Sequence, residues 1–290
     1  HGVVETGSGR VVFGEAPRGV PVEPHPGLVG KALTSAGLDR DAQAQASDGT
    51  MVQAKQVMVA QRAWPSLEDL SADAPPTLPG VPGRLDDIAW ILEAAAEWGP
   101  PRDEQRRLRA KEALRGLLVL YEPIQKMRAS GATYHKDGRG LFALTCGGAH
   151  LVQALFVVHR VEAGSTEEVE QLLRLWSLTQ WRYHRELELL DDLLVQPGID
   201  RRALLGQRLK LSGHFLETLR VVESSGLIDV TAEHRALGLR AESEVMATLA
   251  ILEERGAFAG LGGASVGWSQ ADRDLVGDSL HAVRGLRLGG

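Results

Sequence analysis

From about residue 85 onward the apolar residues recur at helical spacing. Hardly any stretch alternates apolar with polar at period two, so helices rather than a large sheet are expected. A helix over 85–98 stops at Gly99-Pro100-Pro101, and one over 102–127 contains Pro123, which should kink or break it. Asp137-Gly138 turns the chain into a helix over 141–161. Ser165, with Glu168 three residues on, has the capping-box form and launches a helix to about residue 195, where Pro197-Gly198 stops it. Helices over 201–223 and 231–255 follow, the second with Gly256 placed as its C-terminal cap. Ser269 and Asp272 have N-cap spacing for a last helix to about residue 286.

The first part of the chain differs. Pro17, Pro21, Pro24 and Pro26 exclude a helix there, and Val11-Val12-Phe13 suits a small strand pair, so 1–48 reads as an extended Pro/Gly-rich arm. A helix is expected from Gly49 to about residue 64. A linker holding Pro65, Pro75, Pro76, Pro79 and Pro82 then completes a 49–84 segment. The main helical-hairpin domain spans 85–258, and 259–290 supplies a Gly-rich linker and the C-terminal helix.

Residues 147–158, Gly-Gly-Ala-His-Leu-Val-Gln-Ala-Leu-Phe-Val-Val, recur in altered form at 212–222, Ser-Gly-His-Phe-Leu-Glu-Thr-Leu-Arg-Val-Val. His150 and His214 thereby occupy matching places in two helices. The expected fold is mainly α, with stacked helical hairpins in an α-bundle or α/α-toroid-like arrangement and an extended N-terminal arm.

Composition narrows the function classes. A chain of 290 residues, 43% hydrophobic, can bury one substantial core or two modest ones. A net charge of −6 gives no electrostatic reason to approach nucleic acid. The one basic cluster, Arg102, Arg106, Arg107, Arg109 and Lys111, is interleaved with Asp103, Glu104 and Glu112 and reads as a solvated helix face. No apolar run approaches the roughly 18 residues of a membrane span, so a soluble chain is expected.

Cys146 is the only cysteine, which excludes an internal disulfide and any multi-cysteine metal motif. It stands one turn before His150 on the same helix face. A thiolate and an imidazole from consecutive turns can reach one zinc or copper ion, and Gly147 and Gly148 would let a cofactor or another backbone approach. The plainer alternative is a buried thiol and a hydrogen-bonded core histidine in a tightly packed helix. His184 with Glu188, and His214 with Glu217, have spacings that share a helix face. The apolar stripes of their helices nevertheless put both histidines at solvated or boundary positions.

Tyr134-His135-Lys136-Asp137-Gly138-Arg139 gathers acid–base groups in one loop, with His135 and Asp137 as candidate catalytic residues, although an ordinary exposed turn explains the same residues. No nucleophile-elbow, zinc-protease or phosphate-loop motif accompanies them. The His1-Gly2 start resembles that of copper oxygenases, which implies a remote copper-chelating role for His1; those proteins are β-sandwiches, and a processing or cloning boundary explains the start as well. A true mature N-terminus at His1 would imply an extracytoplasmic address.

The leading expectation is a helical binding or interaction module for a protein or small-molecule ligand. The alternatives are a metal- or cofactor-binding protein centred on Cys146 and His150, and a helical enzyme using the Tyr134–Asp137 loop.

Overall fold

The computed structural model describes residues 2–6, 9–13, 15–16, 20–21, 41, 43–45, 49–53, 84–100, 102–134, 147–261 and 269–289. Three short antiparallel hairpins come first. β1 (Gly2–Thr6) pairs with β2 (Gly9–Phe13) in the register Val3 to Val12, so Val11-Val12-Phe13 is a strand. β3 (Glu15–Ala16) pairs with β4 (Val20–Pro21), and β5 (Gln43–Gln45) with β6 (Met51–Gln53).

The last pair corrects one expectation. The helix due to begin at Gly49 is replaced at its start by β6, because Gly49 adopts φ 84° and reverses the chain into the hairpin. A left-handed glycine at a turn is a hairpin signal rather than a helix start. The rest of that expected helix and the Pro-rich linker lie outside the described residues.

The described residues are otherwise mainly helical, with α1 (Arg84–Trp98), α2 (Glu104–Leu120), α3 (Glu122–Ser130), α4 (Gly147–Val161), α5 (Thr166–Leu194), α6 (Arg201–Ser224), α7 (Ala232–Glu254) and α8 (Gln270–Gly289). None is long and apolar enough to cross a membrane. The helix boundaries follow their local chemistry. Tyr121 separates α2 from α3 with Pro123 in the first turn of α3, where a missing N–H costs nothing. At the start of α5 the Ser165 amide donates to Glu168 Oε2 at 2.8 Å and the Glu168 amide to Ser165 Oγ at 3.2 Å, the two halves of a capping box. Asp200 accepts from the amides of Arg202 and Ala203 at the head of α6, and Thr231 and His234 form a capping box on α7. Ser269 and Asp272 exchange the same kind of bonds before α8.

Backbone contacts divide the chain into two compact units. The first contains residues 1–119 and 153–169. Ile88 and Leu92 of α1, Ala113, Leu114 and Leu117 of α2, and Leu155, Phe156 and Val158 of α4 are buried in it. Arg106 departs from the solvated face expected of its neighbours: it is 1% exposed, Nη1 donates to the Ala95 carbonyl at 2.5 Å, and Nη2 pairs with Glu162. The carbonyl belongs to the last turn of α1, where the helix dipole favours a cation.

The second unit contains residues 120–152 and 170–290 and is built on α6, which packs most extensively against α8 and also against α7. Phe215 of α6 stacks on Tyr183 of α5 with ring centroids 3.9 Å apart and planes within 3° of parallel. Trp176 stacks on the same Phe215 at 5.7 Å. Aromatic pairs of this kind add to the burial that fixes the rotation of α6.

Candidate metal centre

Rotation of α6 decides what its polar residues face. Ser212, His214, Glu217 and Thr218 are all buried, as are the apolar Leu209, Leu216 and Leu219, so this helix has two covered faces rather than one. The second cover is α8. A Cβ on Gly213 would lie 3.1 Å from the backbone N of Ala282, and one on Gly285 would lie 2.9 Å from both the Glu217 amide N and Leu216 Cγ. Glycine at these two points lets the backbones approach where any side chain would hold them apart.

Close approach brings His281 and Arg284, three residues apart on α8, onto Glu217. His281 Nδ1 lies 2.6 Å from Glu217 Oε2, and Arg284 Nη1 donates to Glu217 Oε1. The Glu217 carboxylate is fully buried, and a buried charge of this kind requires such partners.

The first turn of α4 adds a third imidazole. The His150 ring is 4.6 Å from that of His214 and 4.8 Å from that of His281, and the latter two are 4.0 Å apart, centroid to centroid. One donor atom from each of His150, His214, Glu217 and His281 lies within 4.8 Å of all the others. Behind His214, Asp278 Oδ1 stands 3.6 Å from Nε2 and 3.8 Å from Lys210 Nζ. Burial pushes the Asp278 carboxyl up to about 7, with Lys210 pulling it down and Asp274 adding to the rise.

His150 is buried, as its apolar helix requires, and joins the cluster. His214 was expected at a boundary and is instead 3% exposed, because α8 covers the side of α6 that the apolar stripe leaves bare. His184 is half-buried and lies outside the cluster. The space over Gly148, expected to admit a cofactor, is taken by two side chains: a Cβ there would meet Tyr121 Oη at 2.9 Å and Arg182 Nη1 at 3.3 Å. Gly147 begins α4. Cys146, His135, Asp137 and His1 lie outside the described residues.

Tyr134, at the edge of the candidate loop, is buried. Its hydroxyl donates to Glu186, which also accepts from Arg182 Nε at 2.7 Å. Burial and the Glu186 charge push the Tyr134 hydroxyl above its ordinary range, so it stays protonated.

Sequence reasoning missed His281 as a site residue. Its signal was the run Asp278-x-x-His281-x-x-Arg284 beside Ala282 and Gly285, a polar row at helical spacing with small residues next to it.

Comparison with protein-family models, with curated proteins and with solved structures finds no match.

Proposed function

We propose that this chain is a metal-binding helical protein whose centre is His150, His214, Glu217 and His281, with zinc as the preferred ion. The observation that carries this reading is the convergence of three imidazoles and one carboxylate, from three helices distant in sequence, with their donor atoms within 4.8 Å. A histidine buried for packing alone finds one hydrogen-bond partner. Three rings with centroids within 4.8 Å of one another, beside a buried carboxylate, form the donor set of a borderline-soft divalent ion.

The dimensions fit. Donors bound at about 2.0–2.2 Å in a tetrahedron lie about 3.3–3.6 Å apart, so the widest pair, at 4.8 Å, has roughly 1.2–1.5 Å to close. Rotation of the imidazoles about their side-chain torsions supplies movement of that size. Arg284 on Glu217 and Asp278 behind His214 are the outer partners that orient ligands at metal centres.

An ion held here would join α4, α6 and α8 and so couple binding to folding of the second unit. The interaction-module reading and the Tyr134–Asp137 enzyme reading draw no comparable support from the described residues. Thermal unfolding of untagged protein tests the proposal: saturating zinc should raise the midpoint by several degrees, a chelator should reverse the rise, and His214→Ala should abolish it. Equal midpoints with and without zinc would refute it.

A further inference from the structure

We propose that the metal centre takes a carboxylic acid with a short hydrocarbon tail, one oxygen on the ion and the other on the guanidinium of Arg284, with the tail lying along α8. This inference rests on the metal reading.

Among the described residues of the cluster, burial leaves access from one side. His150, His214 and Glu217 are 7%, 3% and 0% exposed, whereas the side chains of His281 and Arg284 keep 22% and 27% of their surface. Both of the accessible residues belong to α8 and are three residues apart, so they share one edge of the site.

Chemistry at that edge selects an anion. Arg284 commits Nη1 to Glu217, and its remaining N–H groups meet no acceptor among the described residues. With a divalent ion in place, Glu217 and Asp278 set against Arg284 and Lys210 leave an excess of about two positive charges in a largely buried site, which a bound anion lowers. A planar guanidinium fork matches the two oxygens of a carboxylate.

The surroundings of Arg284 select the kind of anion. One turn before it stands Leu280, 65% exposed, and one turn after it Leu288, 51% exposed. Positions four apart lie in a row on a helix, so the guanidinium is flanked on both sides by apolar surface. Inorganic phosphate would use the ion and the guanidinium but not this row, whereas a fatty or branched carboxylate uses all three.

The test uses the full chain, untagged and loaded with cobalt(II), whose visible absorption reports a change of ligand at the ion. Acetate, hexanoate and inorganic phosphate are the probes. Hexanoate should shift the spectrum at a concentration about threefold or more below that needed for acetate, because part of its chain leaves water. Arg284→Gln removes a partner of Glu217 and should bind cobalt more weakly; compared with wild type at cobalt concentrations that saturate each protein, it should lose about tenfold or more in hexanoate affinity. Should that variant fail to fold, Arg284→Lys keeps a cation beside Glu217 but not the fork, and should show the same loss. Leu280→Gln should reduce hexanoate to the affinity of acetate. A cobalt-loaded protein whose spectrum answers to none of the probes, or to phosphate alone, would overturn this inference and leave the metal reading standing. A protein that takes up no cobalt would overturn both.

Discussion

Gly285 of α8 lies against the backbone of Glu217 in α6, so close that a Cβ would sit 2.9 Å from the Glu217 amide nitrogen. This contact sets the distance between the two helices that supply three of the four candidate ligands. Gly285→Ala should therefore cost about 1–3 kcal/mol by forcing the helices apart, and should weaken metal binding even though residue 285 is not a ligand. Denaturant midpoints with and without zinc read both effects; a variant unchanged in each would show that α8 is not held by this contact.

Asp278 predicts a pH dependence for the metal-free protein. Its carboxyl is pushed by burial from 3.8 to about 7, so between those values the folded state holds a proton that the unfolded chain releases. Folding must then weaken as pH rises from about 4 to about 7, by up to about 1.4 kcal/mol per pH unit from this group, and level off above. In Asp278→Asn the slope over that window should flatten. Urea midpoints across the range decide it, and a slope identical in wild type and variant would remove Asp278 as its cause.

In the first unit Leu155 and Val158 of α4 are buried to 0% and 2% exposure. Leu155→Ala and Val158→Ala should each destabilise by about 1–4 kcal/mol through cavity formation. Unchanged denaturation midpoints for both would place α4 at the periphery.

Arg106 gives a complementary test, because its removal leaves Glu162 buried without its main cation. Arg106→Met should cost about 2–4 kcal/mol, most of it from the orphaned carboxylate, and Arg106→Met with Glu162→Gln should recover part of that loss. Additive single and double variants would show that the pair is not coupled.

Much of the helical framework was legible because its signals are local. Pro123 broke α2 from α3, Ser165 with Glu168 opened α5, and Ser269 with Asp272 opened α8. The hairpin at β5 and β6 was misread as a helix start because its determinant, the left-handed Gly49, leaves no trace in apolar spacing. His150 was found from the unbroken apolar run that follows it. His214 was put on the wrong side because amphipathicity assumes one buried face, and the second cover of α6 depends on Gly213 and Gly285, which carry no apolar signal. His281 was missed as a candidate ligand for the same reason: its helix falls in the 259–290 segment, outside the 85–258 domain expected from sequence, and only its packing on α6 brings that ring to Glu217.

The most direct measurement of the central claim is the metal content of protein purified without a histidine tag, by mass spectrometry of the metal, for wild type and for His150→Ala, His214→Ala and His281→Ala. The account predicts close to one zinc, or another divalent transition ion, per wild-type chain, with loss of about tenfold or more in metal affinity for each variant, because every ring supplies a ligand. Wild-type protein that stays metal-free after equilibration with excess zinc, or that binds as tightly after all three histidines are replaced, would contradict it.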